Sequence, residues 1–250
     1  MSTVETRIGR FGWHDHRSPD PAAATRFYTE LLGWELEVFP MGEFEYPMIS
    51  MYDQSHGGFG PVDGDEPAHW LGSIVVEDVD AATERVKTAG GNVIVEPSDI
   101  EGVGRWSVVT DPQGAVFALF QSVDAPPTSE GVFVWDELGT SDIEGAKRFY
   151  AEVVGWESSD QDMGDGFIYT IFRSSGVDRA GAYQRQPDMP GAPGWLPYVA
   201  TGGVDATLER ATSAGATSIT EAMDIPTVGR MAIIADPTGA VAGLYKPEES

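Results

Sequence analysis

Apolar and polar positions along the chain repeat one short programme. Phe11 to Arg17 reads as a strand, and Asp20 followed by Pro21 supplies a helix N-cap and an N1 proline. Ala24, Phe27, Tyr28 and Leu31 then fall at i, i+3, i+4 and i+7, the spacing of a helix that buries one face, and Gly33 supplies its stop. Trp34 to Phe39, Tyr46 to Tyr52 and the Gly-rich piece Gly57 to Gly60 follow as strands. A second stretch repeats the order. Its strand runs from Trp70 to Val76, and its helix begins near Asp78 or Asp80 and closes at Ala89-Gly90-Gly91. Strands over Asn92 to Val95, Arg105 to Thr110 and Ala115 to Phe120 complete it, and Asp111-Pro112-Gln113-Gly114 has the composition of a tight hairpin turn.

Both stretches recur together. Trp13, Arg26-Phe27-Tyr28 and Gly33-Trp34-Glu35 return 122 residues later as Trp135, Arg148-Phe149-Tyr150 and Gly155-Trp156-Glu157. Trp70, Asp80, Gly104-Arg105 and Asp111-Pro112 return 125 residues later as Trp195, Asp205, Gly229-Arg230 and Asp236-Pro237. The second copy therefore carries three extra residues in a mid-module loop. A long period repeated only twice indicates duplicated domains. We expect modules over 1–121 and 132–250, joined by a Pro-containing linker at 122–131, with Pro61 to Ala68 and Gln186 to Gly194 separating the halves of each.

With 250 residues, 41% of them hydrophobic, the chain can build two cores of ordinary size. It has no cysteine, which excludes disulfides and thiolate metal sites, so a metal would depend on His, Asp or Glu. A balance of 15 basic against 40 acidic residues, net charge -25, argues against nucleic acid. The acids are scattered, as a solubilising surface would have them. No apolar run is long enough for a transmembrane helix, and the first ten residues hold no apolar stretch like that of a secretory signal, so a cytoplasmic location is expected. Phosphate-binding, dinucleotide and Gly-x-Ser-x-Gly motifs do not occur.

The succession of strand, Asp-initiated helix with Phe-Tyr near its end, Gly-Trp, and closing Asp-Pro-x-Gly hairpin resembles the glyoxalase, bleomycin-resistance and extradiol-dioxygenase (vicinal oxygen chelate) superfamily. Tryptophan in the first strand and after the first helix is similar to the tandem subgroup that includes the mycobacterial 27 kDa antigen. The resemblance implies an α+β fold of four βαβββ units forming two open, curved mixed sheets, with one cavity per module. It also implies metal ligands at a first-strand His seven residues before the helix-initiating Asp, and at a last-strand Glu four residues after the turn Gly. Here those positions are Trp13 and Trp135, Ala118 and Gly243, and the middle ligand matches Leu71 and Leu196 approximately. None of these side chains can coordinate a divalent metal. We therefore expect neither metal nor cofactor, and small residues at the lost positions would leave room for a ligand.

Strand alternation places His14 and His16 on one face and Asp15 on the other, the histidines reading as surface or interface residues. The ligand-lining candidates are Trp13, Trp106 and Trp135 for stacking, Asp15 and Glu137 for polar anchoring, and Tyr46, Phe120, Tyr169, Tyr198 and Tyr245 for the walls. Together they point to a binding protein that sequesters a bulky, partly aromatic small molecule, as antibiotic self-resistance proteins of the superfamily do, acting as a monomer or homodimer. The alternative is an enzyme of the same fold, with Asp15 or Glu137 as a base or with His14 and His16 recruiting a metal.

Overall fold

The computed structural model describes residues 7–41, 44–62, 64–124 and 131–248. In the first copy the elements are β1 (Phe11–Ser18), α1 (Pro21–Leu32), β2 (Glu35–Met41), β3 (Phe44–Met51) and β4 (Gln54–Pro61), then β5 (His69–Val75), α2 (Val79–Thr88), β6 (Asn92–Ile100), β7 (Gly104–Thr110) and β8 (Val116–Ser122). In the second they are β9 (Phe133–Thr140), α3 (Ile143–Val154), β10 (Glu157–Asp162), β11 (Ile168–Ser174) and β12 (Val177–Gln184), then β13 (Gly194–Ala200), α4 (Val204–Ser213), β14 (Thr217–Ser218), β15 (Met223–Ile225), β16 (Gly229–Ala235) and β17 (Val241–Pro247). This is an α+β fold of four βαβββ units. One open mixed sheet runs β2-β3-β4-β1-β5-β8-β7-β6 and the other β10-β11-β12-β9-β13-β17-β16-β14, with β15 also on β16. Most of the Pro-containing linker, 125–130, lies outside the described residues.

The helices start where their caps dictate. Asp20, Asp78 and Asp142 each accept a backbone N–H three residues on, and Gly33 and Gly155 end α1 and α3 in the left-handed conformation. The second copy is less regular where β6 is continuous in the first. Thr220 Oγ1 accepts the Ile233 N–H, and the strand is divided into β14 and β15. A side chain there takes a hydrogen bond that the ladder would otherwise hold.

The chain divides into two compact units, each taking halves from both copies: the described residues within Met1–Trp13, Gly72–Thr128 and Trp135–Trp195, and those within His14–Leu71, Ser129–Val134 and Leu196–Ser250. The first unit, here the α2/α3 unit, buries Ile74, Val86, Phe117, Leu119, Leu138, Phe149, Tyr150, Trp156 and Phe172. The second, the α1/α4 unit, buries Phe27, Tyr28, Leu31, Trp34, Ile49, Phe59, Trp70, Phe133 and Leu244. One arginine ties the helix pair in each. Arg85 Nε donates to the Val153 carbonyl at 3.0 Å, and Arg210 Nη2 to the Leu31 carbonyl at 2.8 Å, so each cation sits at the negative end of the neighbouring helix.

Candidate ligand-binding sites

The strands that begin each copy sort their side chains by alternation. Along β1 the even positions His14, His16 and Ser18 are buried, whereas Trp13, Asp15 and Arg17 are half-buried. In the α1/α4 unit, His14 stacks on Phe133 at 4.0 Å, and His16 meets Tyr28, Phe59 and Trp70 edge-on or tilted. The Nε2 of His16 lies 2.7 Å from Asp236 Oδ2, both side chains fully buried. The histidines are thus core residues and not the surface or interface residues their polarity suggested. Both lie on the face opposite to Asp15, where His16 meets Tyr28 of α1, so they do not supply a metal site on the Asp15 face. Trp34, Trp70 and Trp156 are also core, and Trp195 packs half-buried against it.

On the Asp15 face of the α1/α4 unit, Tyr46 donates its phenolic hydrogen to Asp15. The tyrosine ring lies over Gly58, where an added Cβ would fall 2.4 Å from Tyr46 Oη. Arg17 lies beside its cross-strand neighbour Gly60. Tyr198 is buried, with its ring over Gly243, where a Cβ would meet Tyr198 Cδ1 at 2.1 Å. The expected room at Gly243 is therefore filled by the residue directly paired with it on β13. Tyr245 is half-buried, pairs across the ladder with Met231, and donates to the Val228 carbonyl at 2.7 Å.

The α2/α3 unit holds the other candidates. Trp135 Nε1 donates to Tyr169 Oη at 2.9 Å, and Tyr169 in turn donates to Glu137 Oε2 at 2.9 Å. Tyr169 stands over Gly181, which pairs with Glu137, and a Cβ at Gly181 would fall 1.9 Å from the phenolic oxygen. Burial, followed by the nearby Glu137 charge, raises the Tyr169 phenol well above its ordinary range, so it remains a donor at neutral pH. Tyr183, which sequence reasoning passed over, pairs with Tyr169 on one side and Gly139 on the other, and Phe167 packs 6.2 to 6.4 Å from both tyrosine rings. The signal for Tyr183 was its alternation with Gly181 along β12. Trp106 and Phe120 are half-buried cross-strand partners on β7 and β8, and the Phe120 ring covers Gly104. Trp13 lies on β1, half-buried.

The donor set at the inherited metal positions does not fit a divalent ion. Trp135 spends its N–H on Tyr169, a tyrosine ring stands on Gly243, and Ala118 is a buried alanine beside Ser73.

Residues 10–119 and 133–242 each match the glyoxalase/bleomycin resistance protein/dioxygenase superfamily. The chain is 35% identical over 254 residues to "Putative glyoxylase CFP32" of Mycobacterium bovis, covering 97% of both chains. It is 33% identical over 255 residues to "Anthracycline biosynthesis protein DnrV" of Streptomyces peucetius, covering 93% of this chain and 91% of that one. Among solved structures, the Mn(II)-bound glyoxalase of Novosphingobium aromaticivorans matches 96% of this chain and 82% of its own, with TM-score 0.66 and 19% identity. The 2,3-dioxygenase LapB of Pseudomonas sp. KL28 matches 98% and 95%, with TM-score 0.65 and 13% identity. The two structural likenesses establish the fold. No helix among the described residues is long and apolar enough to cross a membrane.

Proposed function

Because the chain belongs to the glyoxalase/bleomycin resistance protein/dioxygenase superfamily, we propose that it binds and sequesters a bulky, partly aromatic small molecule without a metal, as an antibiotic self-resistance protein would. The observation that carries this reading is the chain of Trp135, Tyr169 and Glu137. An indole replaces the first-strand ligand, and its N–H is committed to a phenol that holds a carboxylate. Such a group presents aromatic faces with one charged anchor, the usual lining of a small-molecule pocket. The relative named for anthracycline biosynthesis points the same way, toward a planar polycyclic ligand.

In this reading, with modules over 1–121 and 132–250 joined at 122–131, the ligand contacts are made by Trp13, Asp15, Tyr46, Trp106 and Phe120 of the first copy and by Trp135, Glu137, Tyr169, Tyr198 and Tyr245 of the second. Binding alone suffices. Removing roughly 400 Å2 of apolar ligand surface from water at about 25 cal/mol/Å2 gives on the order of 10 kcal/mol before association costs. The protein acts in the cytoplasm, as a monomer or homodimer. A second reading, favoured by the Tyr169–Glu137 contact and the relative named a glyoxylase, is metal-independent proton transfer with Glu137 as base.

Titration of intrinsic tryptophan fluorescence with a panel of aromatic polyketides, including the neutral anthraquinone quinizarin, tests the proposal. Saturable quenching is expected. A flat response to every member, together with turnover of any of them, overturns it in favour of the second reading.

A further inference from the structure

We infer that the face of β9, β11 and β12 in the α2/α3 unit is a recognition site for an organic ammonium group. The inference deepens the binding role proposed above by assigning a charge to the ligand, and to that extent rests on it.

Four aromatic side chains and one carboxylate are linked in succession on this face. Trp135 and Tyr169 are joined to Glu137 by consecutive hydrogen bonds of 2.9 Å each. Tyr183 pairs directly with Tyr169, and Phe167 lies 6.4 Å from the ring of Tyr169 and 6.2 Å from that of Tyr183. Aromatic faces attract cations through their quadrupoles, most strongly where water is excluded, and a carboxylate among them adds a full charge. Trp135, Tyr169 and Tyr183 are each half-buried, so their faces are partly shielded from water yet open to a ligand.

Two features separate this arrangement from an ordinary aromatic core. Gly139 and Gly181 clear the floor on which the Tyr183 and Tyr169 rings rest, since a Cβ at either would fall within 3.0 Å of a phenolic oxygen. Arg185, beside Gly139 and close enough to Tyr183 for its charge to act there, has its guanidinium committed to a loop. Its guanidinium donates to the carbonyls of Met189, Pro190, Gly191 and Ala192 at 2.7 to 2.9 Å. The corresponding place in the first copy is built differently, with Gly60 where Tyr183 would stand and Arg17 where Gly139 would stand. An arginine there disfavours a cationic ligand, so the assignment is confined to the second copy. The net charge of -25 draws cations toward the protein as a whole.

Benzyltrimethylammonium and neopentylbenzene have the same shape and differ in charge, so the pair tests the assignment directly. Ligand-observed NMR titration of the full chain is expected to show the cation binding about tenfold more tightly. Glu137→Gln, which retains an acceptor for Tyr169, should reduce that preference to twofold or less with circular dichroism unchanged. Tyr183→Leu should reduce it partially and decides the matter if the first variant does not fold. Equal affinity of the wild type for both probes, failure to bind either, or a preference that survives both substitutions overturns the ammonium site. Quinizarin separates the two proposals. Quinizarin binding without a charge preference overturns the ammonium site alone, and a charge preference without quinizarin binding overturns the polycyclic-ligand reading alone.

Discussion

Both compact units set an indole, a buried phenol and a buried carboxylate near one another, and they differ in what stands beside the carboxylate. In the α2/α3 unit Trp195 donates to Tyr150 at 2.9 Å, and Tyr150 donates to Asp111 at 3.3 Å. In the α1/α4 unit Trp70 donates to Tyr28 at 3.1 Å, and burial, followed by the nearby Asp236 charge, raises the Tyr28 phenol. Position 16 is histidine, whereas its counterpart 122 residues later is Leu138. Burial is the largest influence on both carboxyls and pushes both upward. For Asp111 burial prevails over the backbone hydrogen bonds from Ala115 and Gln113, and its pKa is raised. For Asp236 the hydrogen bond and charge of His16, with help from Thr238, reverse the outcome, and its pKa is lowered. His16, with Thr238, thus changes the sign of a carboxyl shift within nearly the same apolar surroundings.

The sheet faces diverged in a similar paired manner. Arg17 over Gly60 in one unit becomes Gly139 under Tyr183 in the other, a large and a small partner exchanged across the same ladder position. The duplicated scaffold is common to both units, while the polar centre and the sheet face carry different side chains.

Removing the carboxylates separates the units most strongly. Asp236→Ala leaves His16 buried without its partner and should cost about 3–5 kcal/mol. Asp111→Ala loses only hydrogen bonds, at about 1–3 kcal/mol. Urea midpoints of the two variants check this, and equal costs would show that the His16 contact adds nothing.

Acid should act on the units in opposite directions. The lowered Asp236 carboxyl means that the unfolded chain holds more protons between the folded value and about 3.9, so this contribution is present above that window and is lost as pH falls through it. The raised Asp111 carboxyl means that the native state holds the proton more tightly, so its contribution declines as pH rises from about 3.9 through the folded value. Hydrogen exchange between pH 3 and 6, corrected for intrinsic rates, should show β16 and β17 losing protection on acidification relative to β7 and β8. Asp236→Asn should abolish the difference on one side and Asp111→Asn on the other.

Smaller effects probe the faces. Gly181→Ala drives a methyl into Tyr169, at about 1–3 kcal/mol of overpacking, and should break the Tyr169–Glu137 bond and weaken quinizarin binding in the same fluorescence titration. Gly58→Ala should displace Tyr46 likewise, so an effect at only one of the two glycines would contradict their equivalence. Least of all, Arg105→Gln and Arg230→Gln remove matching exposed ion pairs to Asp80 and Asp205, and should shift thermal midpoints slightly, equally and less at high salt.

The helices and their limits were legible because caps and spacing are local: Asp20, Gly33, Asp142 and Gly155 act within a turn of their own residue. The tandem βαβββ architecture was legible because the repeat carries the same signals twice. The side of the sheet on which the helix packs was not, so alternation grouped His14 with His16 and left open whether that face was core. Space at Gly243 was misjudged because the ring that fills it belongs to β13, 45 residues earlier in the chain. Tyr183 escaped notice because the first copy has Gly60 at its place, so the repeat itself gave no prompt.

The most direct test of the central claim is calorimetric titration of the EDTA-treated protein with quinizarin, alongside Trp135→Ala. The account predicts saturable binding, unchanged by the chelator and weakened about tenfold or more by the substitution. Binding that appears only after a divalent metal is restored, and that is indifferent to Trp135, would contradict it.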